Sequence, residues 1–232
     1  MVLYSLVIPC FNESKNITLL LERINDYKKL HNFELILVNN GSNDDTKNLL
    51  QDISLKYKFL RIVEIKKNIG YGHGIIKGLK SSKGEVIGWT HADMQTDPID
   101  VFKGFEIFRN LKNPQNLFVK GVRKKRKILD NFFSIGMSLI ASIFLKTFLW
   151  DINAQPNLFH KKFFNKLNSL PNDFSLDLYL LYMARKQKLK IARFPVFFYD
   201  RKFGESSWNK GLKSKFIFIK RNFNYILKLS FS

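Results

Sequence analysis

The sequence predicts an α/β protein, built as a Rossmann-like, mostly parallel sheet flanked by helices. Short β-prone runs occur at residues 3–8, 35–38, 61–65 and 86–90, each bounded by Asn, Gly, Ser or Asp. Helical patterns lie between these runs, and such alternation predicts βαβ units. A chain of 232 residues can bury one substantial core, so one main domain is expected.

Two predicted helices begin where a strand has just ended. The first follows a polar turn at residues 12–14 and has these apolar residues at helical spacing: Ile17, Leu20, Leu21, Ile24 and Tyr27. The second follows residues 43–45 and has Leu49, Leu50 and Ile53. Asp97 and Pro98 then predict an N-cap with proline at the first helical position. Residues 90–97 are therefore expected to form a loop at the carboxyl end of a strand.

The second half of the chain has a different character. A basic cluster at residues 120–127 precedes a run without charge at residues 132–145. That run is shorter than the ~20 residues of a typical membrane-spanning helix, which indicates a buried or interfacial segment. No further strands are expected in this half.

The C-terminal segment has the pattern of an amphipathic basic helix. Its apolar face holds Leu212, Phe216, Ile219, Phe223 and Ile226, with Lys213, Lys215, Lys220, Arg221 and Lys228 interspersed. This composition predicts a membrane-surface helix. The alternative is a helix that packs on the core and keeps its lysines in water.

The composition limits the class of partner and the compartment. The 39 Lys and Arg exceed the 19 Asp and Glu, so the charge of +20 should attract nucleic acid, anionic lipid or phosphorylated ligands. The basic residues are scattered and neither an RNP-type signature nor zinc-ligand spacing occurs, which makes nucleic-acid binding the weaker alternative. The single cysteine, Cys10, excludes an internal disulfide and fits a reducing compartment. Residues 1–10 lack the features of a signal peptide, so secretion is not expected.

Candidate ligand-binding residues follow the predicted strands, because ligands of parallel sheets bind at the carboxyl ends of the strands. In the loop after residue 90, His91, Asp93 and Gln95 occupy alternate positions, which point the same way in an extended segment. These side chains are expected to hold a divalent cation, Mn²⁺ or Mg²⁺, that bridges a diphosphate. The imidazole of His91 favours Mn²⁺. Gly70 and Gly72 indicate backbone close to a ligand or a plain turn, and they match neither a P-loop nor a dinucleotide-binding fingerprint.

Four ordered motifs, followed by four further ones, carry a family resemblance. They are VIPCFNE at 7–13, VNNGSNDDT at 38–46, NIGYG at 68–72, HADMQTDP at 91–98, GVR at 121–123, DINAQP at 151–156, SLDLY at 175–179 and RKFGESSW at 201–208. Together they resemble the family 2 glycosyltransferases, specifically the polyprenyl-phosphate sugar synthases related to dolichyl-phosphate mannose synthase. The resemblance covers nearly the whole chain.

The resemblance implies a GT-A fold and a role for each matching residue. Residues 1–210 would form the glycosyltransferase domain, with a nucleotide-binding half at 1–110 and an acceptor half at 111–210, followed by the helix at 211–232. The positions that match the family's base and ribose contacts are Pro9, Phe11, Glu13, Val38 and Asn40. Asp93 and Gln95 match its metal and diphosphate contacts, and Arg123 and Arg201 match positions near the donor diphosphate and acceptor phosphate.

One further carboxylate and three departures from the family pattern complete the comparison. Asp177 matches the carboxylate placed under the anomeric carbon of the sugar, and its alternative role is a helix N-cap. Phe11 stands where the family more often has Tyr, Asn39 and Asn40 stand in place of Asp, and His91 stands in place of Asp. These departures affect two expectations from the family: which nucleotide the protein binds and whether its activity depends on a metal ion.

The implied activity is the inverting transfer of a hexose from a UDP- or GDP-sugar to a polyprenyl phosphate. The basic residues at 123–127 would hold the phosphate, and the protein would lie peripherally on an anionic membrane at its cytoplasmic face. A lipid phosphate already presents an anionic oxygen, so only a hydroxyl acceptor demands a general base. A lipid-linked glycan as hydroxyl acceptor and a catalytically idle, membrane-associated homologue remain alternatives.

Overall fold

The computed structural model describes residues 4–27, 32–109, 111–125, 128–203 and 212–231. Three predictions lie outside these ranges: residue 3 of the first strand, the basic residues Arg126 and Lys127, and the last part of the family resemblance at 204–208. The elements are β1 (Tyr4–Cys10), α1 (Ser14–Asn25), β2 (Phe33–Asn40), α2 (Thr46–Ser54), β3 (Leu60–Ile65), α3 (Tyr71–Ser81), β4 (Val86–Trp89), α4 (Asp100–Arg109), a 3-10 helix (Pro114–Asn116), β5 (Leu117–Lys124), α5 (Ile128–Phe144), β6 (Asn157–His160), α6 (Lys161–Asn165), α7 (Ser175–Lys186), β7 (Lys190–Phe197) and α8 (Leu212–Ser230).

The strands form one sheet in the order β3-β2-β1-β4-β6-β5-β7. All neighbouring strands are parallel except that β6 runs antiparallel to both β4 and β5. The predicted α/β class and mostly parallel sheet are therefore confirmed. The four predicted strands are present, with ends shifted by one or two residues.

The expectation that the second half contributes no strand is wrong, because β5, β6 and β7 complete the sheet. The predicted basic cluster hides β5, since Lys120, Arg123 and Lys124 all lie on this strand. Lys120 is nevertheless fully buried, and β6 has only four residues. Charge content and short length removed the hydrophobic signal by which strands are predicted.

Hydrophobic side chains cover both faces of the sheet. On one face the helices contribute Ile17, Leu20 and Leu21 of α1, Leu50 and Ile53 of α2, and Phe102 and Phe105 of α4. On the other face they contribute Ile75 and Leu79 of α3, Phe163 of α6, and Leu176 and Leu180 of α7. Central parallel strands are apolar on both sides for this reason.

The starts of α3 and α4 differ from the sequence predictions. Asp97 does accept a hydrogen bond, from the Ile99 N–H to its Oδ1 at 3.1 Å, but α4 begins only at Asp100. At α3, Gly70 has a φ of 142°, and a Cβ there would lie 2.2 Å from the carbonyl oxygen of Asn172. The close approach at Gly70 is therefore to the chain's own backbone, which fixes residues 171–173 against the start of α3.

Helices α5 and α8 pack beside α7 in a third apolar cluster, which contains Ala141, Leu145, Leu178, Leu181 and Ile226. The far side of α5 is exposed although it is apolar. This surface, called the α5 stripe below, consists of Ile128, Phe132, Ile135, Leu139 and Ile143. The spacing of four, three, four and four residues places these side chains on one face of the helix.

Helix α8 is buried in one part and exposed in another. Ile226 is fully buried, whereas Phe216 and Ile217 are exposed. The second half of the helix therefore packs on the core, and its first half presents apolar side chains to the surroundings. Among the helices in the described ranges, none combines the length and the apolar content required to cross a bilayer. The division into a domain at 1–210 and a helix at 211–232 stays a prediction.

Candidate active site

A cleft of about 430 Å³ lies at the carboxyl ends of β1, β2 and β4. One wall comes from the loops that follow these strands, and another from Phe133, Ser134 and Met137 of α5 and Ile219 of α8. The predicted site residues that line it are Pro9, Phe11, Glu13, Asn40, His91, Asp93, Gln95, Arg123, Asp177 and Arg201. The cleft lies at the strand ends where the sequence analysis expects ligands to bind, and side chains separated by up to about 190 residues meet there.

Val38 is the exception among the predicted site residues. It is fully buried in the core on the α3 side of the sheet and does not line the cleft. A Cβ added to Gly78 of α3 would lie 2.9 Å from Val38 Cγ2, so the helix covers this side chain closely. The geometry assigns Val38 to packing and gives no support to a direct contact with a nucleotide.

The end of β2 provides an amide with spare hydrogen-bonding capacity. Asn40 Nδ2 donates to the carbonyl oxygen of Gly70 at 3.0 Å. Its Oδ1 is buried and accepts no hydrogen bond within the part of the chain that the structure describes. An acceptor left without a partner costs about 1–3 kcal/mol, so a ligand that donates to it would be stabilised.

Glu13, after β1, is held in a defined position next to the cleft. Its Oε2 accepts a hydrogen bond from Asn16 Nδ2 at 2.6 Å, and its Oε1 lies 3.7 Å from Arg201 Nη1. Burial raises the pKa of Glu13, and the negative charge of Asp93 acts in the same direction, while the Asn16 hydrogen bond and Arg201 oppose them. The carboxylate is therefore sensitive to any cation that enters beside it.

The loop after β4 does not arrange its side chains as an extended segment would. Met94 has a φ of 56°, and the backbone bends from residue 92 to residue 96. The alternation expected for His91, Asp93 and Gln95 therefore fails, because it requires extended backbone on both sides of Asp93. All three still line the cleft.

Asp93 is the electrostatic centre of this loop. Its Oδ1 accepts a hydrogen bond from the Gln95 N–H at 3.1 Å, and its Oδ2 accepts one from Arg201 Nη2 at 2.6 Å. Gln95 Nε2 donates instead to the carbonyl oxygen of Tyr199 at 3.2 Å, and the His91 ring stacks on Tyr71 with centroids 5.7 Å apart. Among the described residues, no three His, Cys, Asp or Glu side chains come close enough to form a metal site by themselves.

Asp177 lies at the floor of the cleft in a network of side-chain amides. It is in the first turn of α7, whose N-cap is Phe174, so the alternative role as an N-cap is not the one observed. Asp177 Oδ1 accepts hydrogen bonds from Gln155 Nε2 at 2.7 Å and from Asn157 Nδ2 at 3.2 Å. Burial raises the pKa of Asp177, and the positive charge of Lys120 opposes this shift.

Four side chains around Asp177 were not singled out from the sequence: Tyr71, Lys120, Gln155 and Asn157. Tyr71 is stacked on Phe174 at 4.5 Å and accepts hydrogen bonds from Trp89 Nε1 and Gln155 Nε2, at 3.1 and 3.2 Å. Lys120 is completely buried, and burial lowers its pKa, while the negative charge of Asp177 opposes this shift. The available signal was a lone lysine in the apolar run 117–122 and the amides on either side of Pro156.

Arg123 is already paired within the protein. Its Nε and Nη2 donate to Asp151 Oδ1 at 2.8 and 2.5 Å, and its backbone N–H donates to Asp151 Oδ2 at 2.8 Å. Burial works to raise the pKa of Asp151, but the charge and hydrogen bonds of Arg123 outweigh it and lower that pKa. Much of the Arg123 fork is thus committed to fixing β5 against the loop before β6.

Comparison with known proteins agrees with the family resemblance of the sequence motifs. The profile of glycosyl transferase family 2 matches residues 5–166. A dolichyl-phosphate beta-glucosyltransferase of Trichomonas vaginalis is 28% identical over 211 residues, which cover 82% of this chain and 62% of that protein. A dodecaprenyl-phosphate galacturonate synthase of Rhizobium johnstonii is 33% identical over 126 residues, covering 53% of this chain and 36% of that protein. The chain spans less than two thirds of the length of these relatives.

Solved structures share the fold. A glucosyl-3-phosphoglycerate synthase of Mycobacterium tuberculosis in complex with UDP superimposes with a TM-score of 0.76 at 17% identity, over 99% of this chain and 80% of that one. The same enzyme with Mn²⁺, UDP and glucosyl-3-phosphoglycerate gives a TM-score of 0.73 at 16% identity, over 99% and 80% of the two chains. The GT-A-like architecture is therefore confirmed. Because the family profile matches most of its length, this chain belongs to glycosyl transferase family 2.

Proposed function

We propose that this protein transfers a hexose from a UDP- or GDP-sugar to a polyprenyl phosphate, with inversion at the anomeric carbon. One observation carries the proposal: a single cleft joins a polar floor at the strand ends to an apolar wall formed by α5 and α8. The relatives named for transfer to dolichyl or dodecaprenyl phosphate support this acceptor class.

The donor site lies on the polar side. Pro9, Phe11, Glu13 and Asn40 would hold the base and ribose, and the unsatisfied Oδ1 of Asn40 offers an acceptor to a ribose hydroxyl or a base N–H. Phe11 is exposed in the cleft and provides an apolar surface on which a base can stack.

Asp93 would hold the donor diphosphate through a divalent cation, with His91 and Gln95 beside it. The residues present fit a cation that takes most of its ligands from phosphate oxygens, because the cleft has a carboxylate and an imidazole but no closed ligand set among the described residues. When bound, the cation supplies charge neutralisation for the departing nucleoside diphosphate. Arg201, now on Asp93 Oδ2, is within reach of the same phosphates and can exchange its carboxylate partner for them.

The transfer step requires no proton to be removed from a lipid phosphate. An oxygen of the acceptor phosphate forms a bond to the anomeric carbon while the bond from that carbon to the diphosphate oxygen breaks. The leaving nucleoside diphosphate retains the electron pair of the broken bond. Asp177, fixed by Gln155 and Asn157, would stabilise the positive charge that develops on the sugar.

The acceptor would approach along the apolar wall. Its prenyl chain would contact Phe133 and Met137 of α5 and Ile219 of α8, with the phosphate near Arg201 and Arg123. The α5 stripe lies on the same helix as this wall, and exposed lysines flank it at Lys125 and Lys146. We therefore place the protein peripherally on an anionic membrane, at its cytoplasmic face, with the stripe in the interface.

A hydroxyl acceptor, such as a lipid-linked glycan, is the second candidate function. The raised pKa of Asp177 favours it, because a general base works best with a pKa near the operating pH. In that case Asp177→Asn abolishes transfer, whereas with a lipid phosphate the same change only weakens it.

The test is transfer from radiolabelled UDP- and GDP-hexoses to vesicles that contain polyprenyl phosphate. We expect label in the lipid fraction and a loss of about 100-fold in Asp93→Asn, which removes the charge facing the diphosphate. Asp97→Asn is the matched control, since it changes a carboxylate of the same loop that pairs with Arg23 outside the cleft. Absence of transfer to lipid phosphate, with transfer to a lipid-linked glycan, would replace the first candidate by the second. Absence of both would identify an idle homologue.

A further inference from the structure

We infer that Lys120 is a positioning residue, which sets the direction of the hydrogen bonds that hold Asp177 as an anionic acceptor in the cleft. The inference rests on the proposed function in so far as Asp177 acts on the sugar. Lys120 does not line the cleft, so it acts through other side chains.

The two hydrogen-bond partners of Lys120 fix which group donates in each hydrogen bond. Its Nζ lies 2.7 Å from the carbonyl oxygen of Ala154 and 2.6 Å from Asn157 Oδ1. Both atoms only accept hydrogen bonds, so Lys120 donates to both. The oxygen of the Asn157 amide must then face the lysine, and its NH₂ group must face the opposite way.

The orientation of the Asn157 amide determines the orientation of the Gln155 amide. Asn157 Nδ2 donates to Gln155 Oε1 at 2.7 Å and to Asp177 Oδ1 at 3.2 Å. Because the oxygen of the Gln155 amide faces Asn157, its Nε2 faces Asp177 Oδ1 at 2.7 Å. Two amide N–H groups therefore converge on one carboxylate oxygen, an arrangement that fits an ionised carboxylate.

Orienting these amides requires a lysine, because the position is buried and needs both hydrogen-bond donors and a positive charge. Lys120, Asn157, Gln155 and Asp177 are all almost completely buried, so water cannot substitute for a missing donor. Without Lys120, the Asn157 oxygen would lose its buried donor, and the Ala154 carbonyl would keep only its hydrogen bond from Asn157 Nδ2 at 3.2 Å. The negative charge of Asp177 would also lose a buried positive partner. An amide flip would then turn an oxygen towards Asp177 and repel its charged form.

The decisive variant is Lys120→Met, which keeps the length of the side chain and removes its donors. We expect kcat to fall by about tenfold or more while KM for the donor changes by less than about threefold, since the donor contacts are untouched. Phe118→Leu is the matched control, because Phe118 is fully buried on the same strand and face but belongs to the apolar core. It should lower the unfolding temperature and leave kcat within about twofold.

Two further measurements separate positioning from stability. Lys120→Gln retains an N–H donor and should have an intermediate kcat, which also covers the case in which Lys120→Met does not fold. In Asp177→Asn, which has no charge to orient, adding Lys120→Met should reduce kcat by no more than about twofold. Equal kcat losses in Lys120→Met and Phe118→Leu, or independent losses in the double variant, would overturn the inference.

Thermal unfolding tests the same link without any acceptor. The effects of Lys120→Met and Asp177→Asn on the unfolding temperature should be non-additive by about 3 °C or more. Additive effects would refute the link between the two residues. If transfer to polyprenyl phosphate is absent but the unfolding effects are coupled, the proposed acceptor fails and the role of Lys120 stands.

Discussion

If the α5 stripe binds the membrane, the loss of membrane partitioning on its substitution can be worked out from the exposed fractions of its side chains. Phe132 is 72% exposed and Leu139 is 60% exposed, so the pair has most of its apolar surface still available for burial. Complete burial of such side chains contributes roughly 1.5–3 kcal/mol each, and the exposed fractions reduce this to about 2–4 kcal/mol for the pair. At 1.4 kcal/mol per factor of ten, Phe132→Asn/Leu139→Asn should weaken membrane partitioning by about 30-fold or more.

The assay is co-sedimentation with vesicles of phosphatidylcholine and an anionic phospholipid, at several lipid concentrations. Leu55→Asn is the matched control, because Leu55 is 88% exposed at the end of α2, on the opposite side of the sheet from α7. The double variant should unfold at the wild-type temperature within a few degrees, since exposed substitutions change stability by only about 0.5 kcal/mol. Unchanged partitioning of the double variant, or an equal loss in Leu55→Asn, would refute the assignment of the stripe to the membrane.

Three other predictions concern the site and its support. Asp151→Asn should destabilise the fold by about 3–5 kcal/mol because it leaves Arg123 buried without its charge partner. The pKa of Asp151 is lowered in the folded state, so the stability that its charge contributes is present above the ordinary value of 3.8. That stability is lost as the pH falls through the folded-state pKa. Denaturation curves of the wild type should therefore converge on those of Asp151→Asn only in acid. Gly70→Ala should cost about 1–3 kcal/mol, measured in urea, because its φ of 142° and the nearby Asn172 carbonyl leave no room for a methyl group; an unchanged midpoint would contradict this. Transfer should be lost in EDTA and restored by Mn²⁺ at least as well as by Mg²⁺, and a several-fold preference for Mg²⁺ would count against His91 as a ligand.

The fold of the first half of the chain, residues 1–110, was predictable because its signals are local. Each early strand is a short apolar run, each following helix shows its own periodicity, and polar residues mark every strand end. The rule that parallel strands bind ligands at their carboxyl ends then brings Glu13, Asn40 and Asp93 together without further information. The cleft contains all three.

The second half of the chain was harder to predict because its residues have mixed roles. Lys120 and Arg123 belong to a strand, although in the sequence they form part of a basic cluster. Their charges are buried because Asn157, Ala154 and Asp151 provide partners from segments 28 to 37 residues away. No local pattern contains that information, and a buried charge is tolerated only where such partners exist.

The local sequence determined the α/β class, the order of the first four strands and helices, and the residues that follow each strand. The tertiary structure decided that Val38 packs under α3, that a left-handed Met94 interrupts the extended backbone between Asp93 and Gln95, and that α5 presents an apolar stripe. The physical reason is the range of the interactions: periodicity and turn chemistry act over a few residues, whereas burial, charge pairing and amide orientation depend on which distant segments meet.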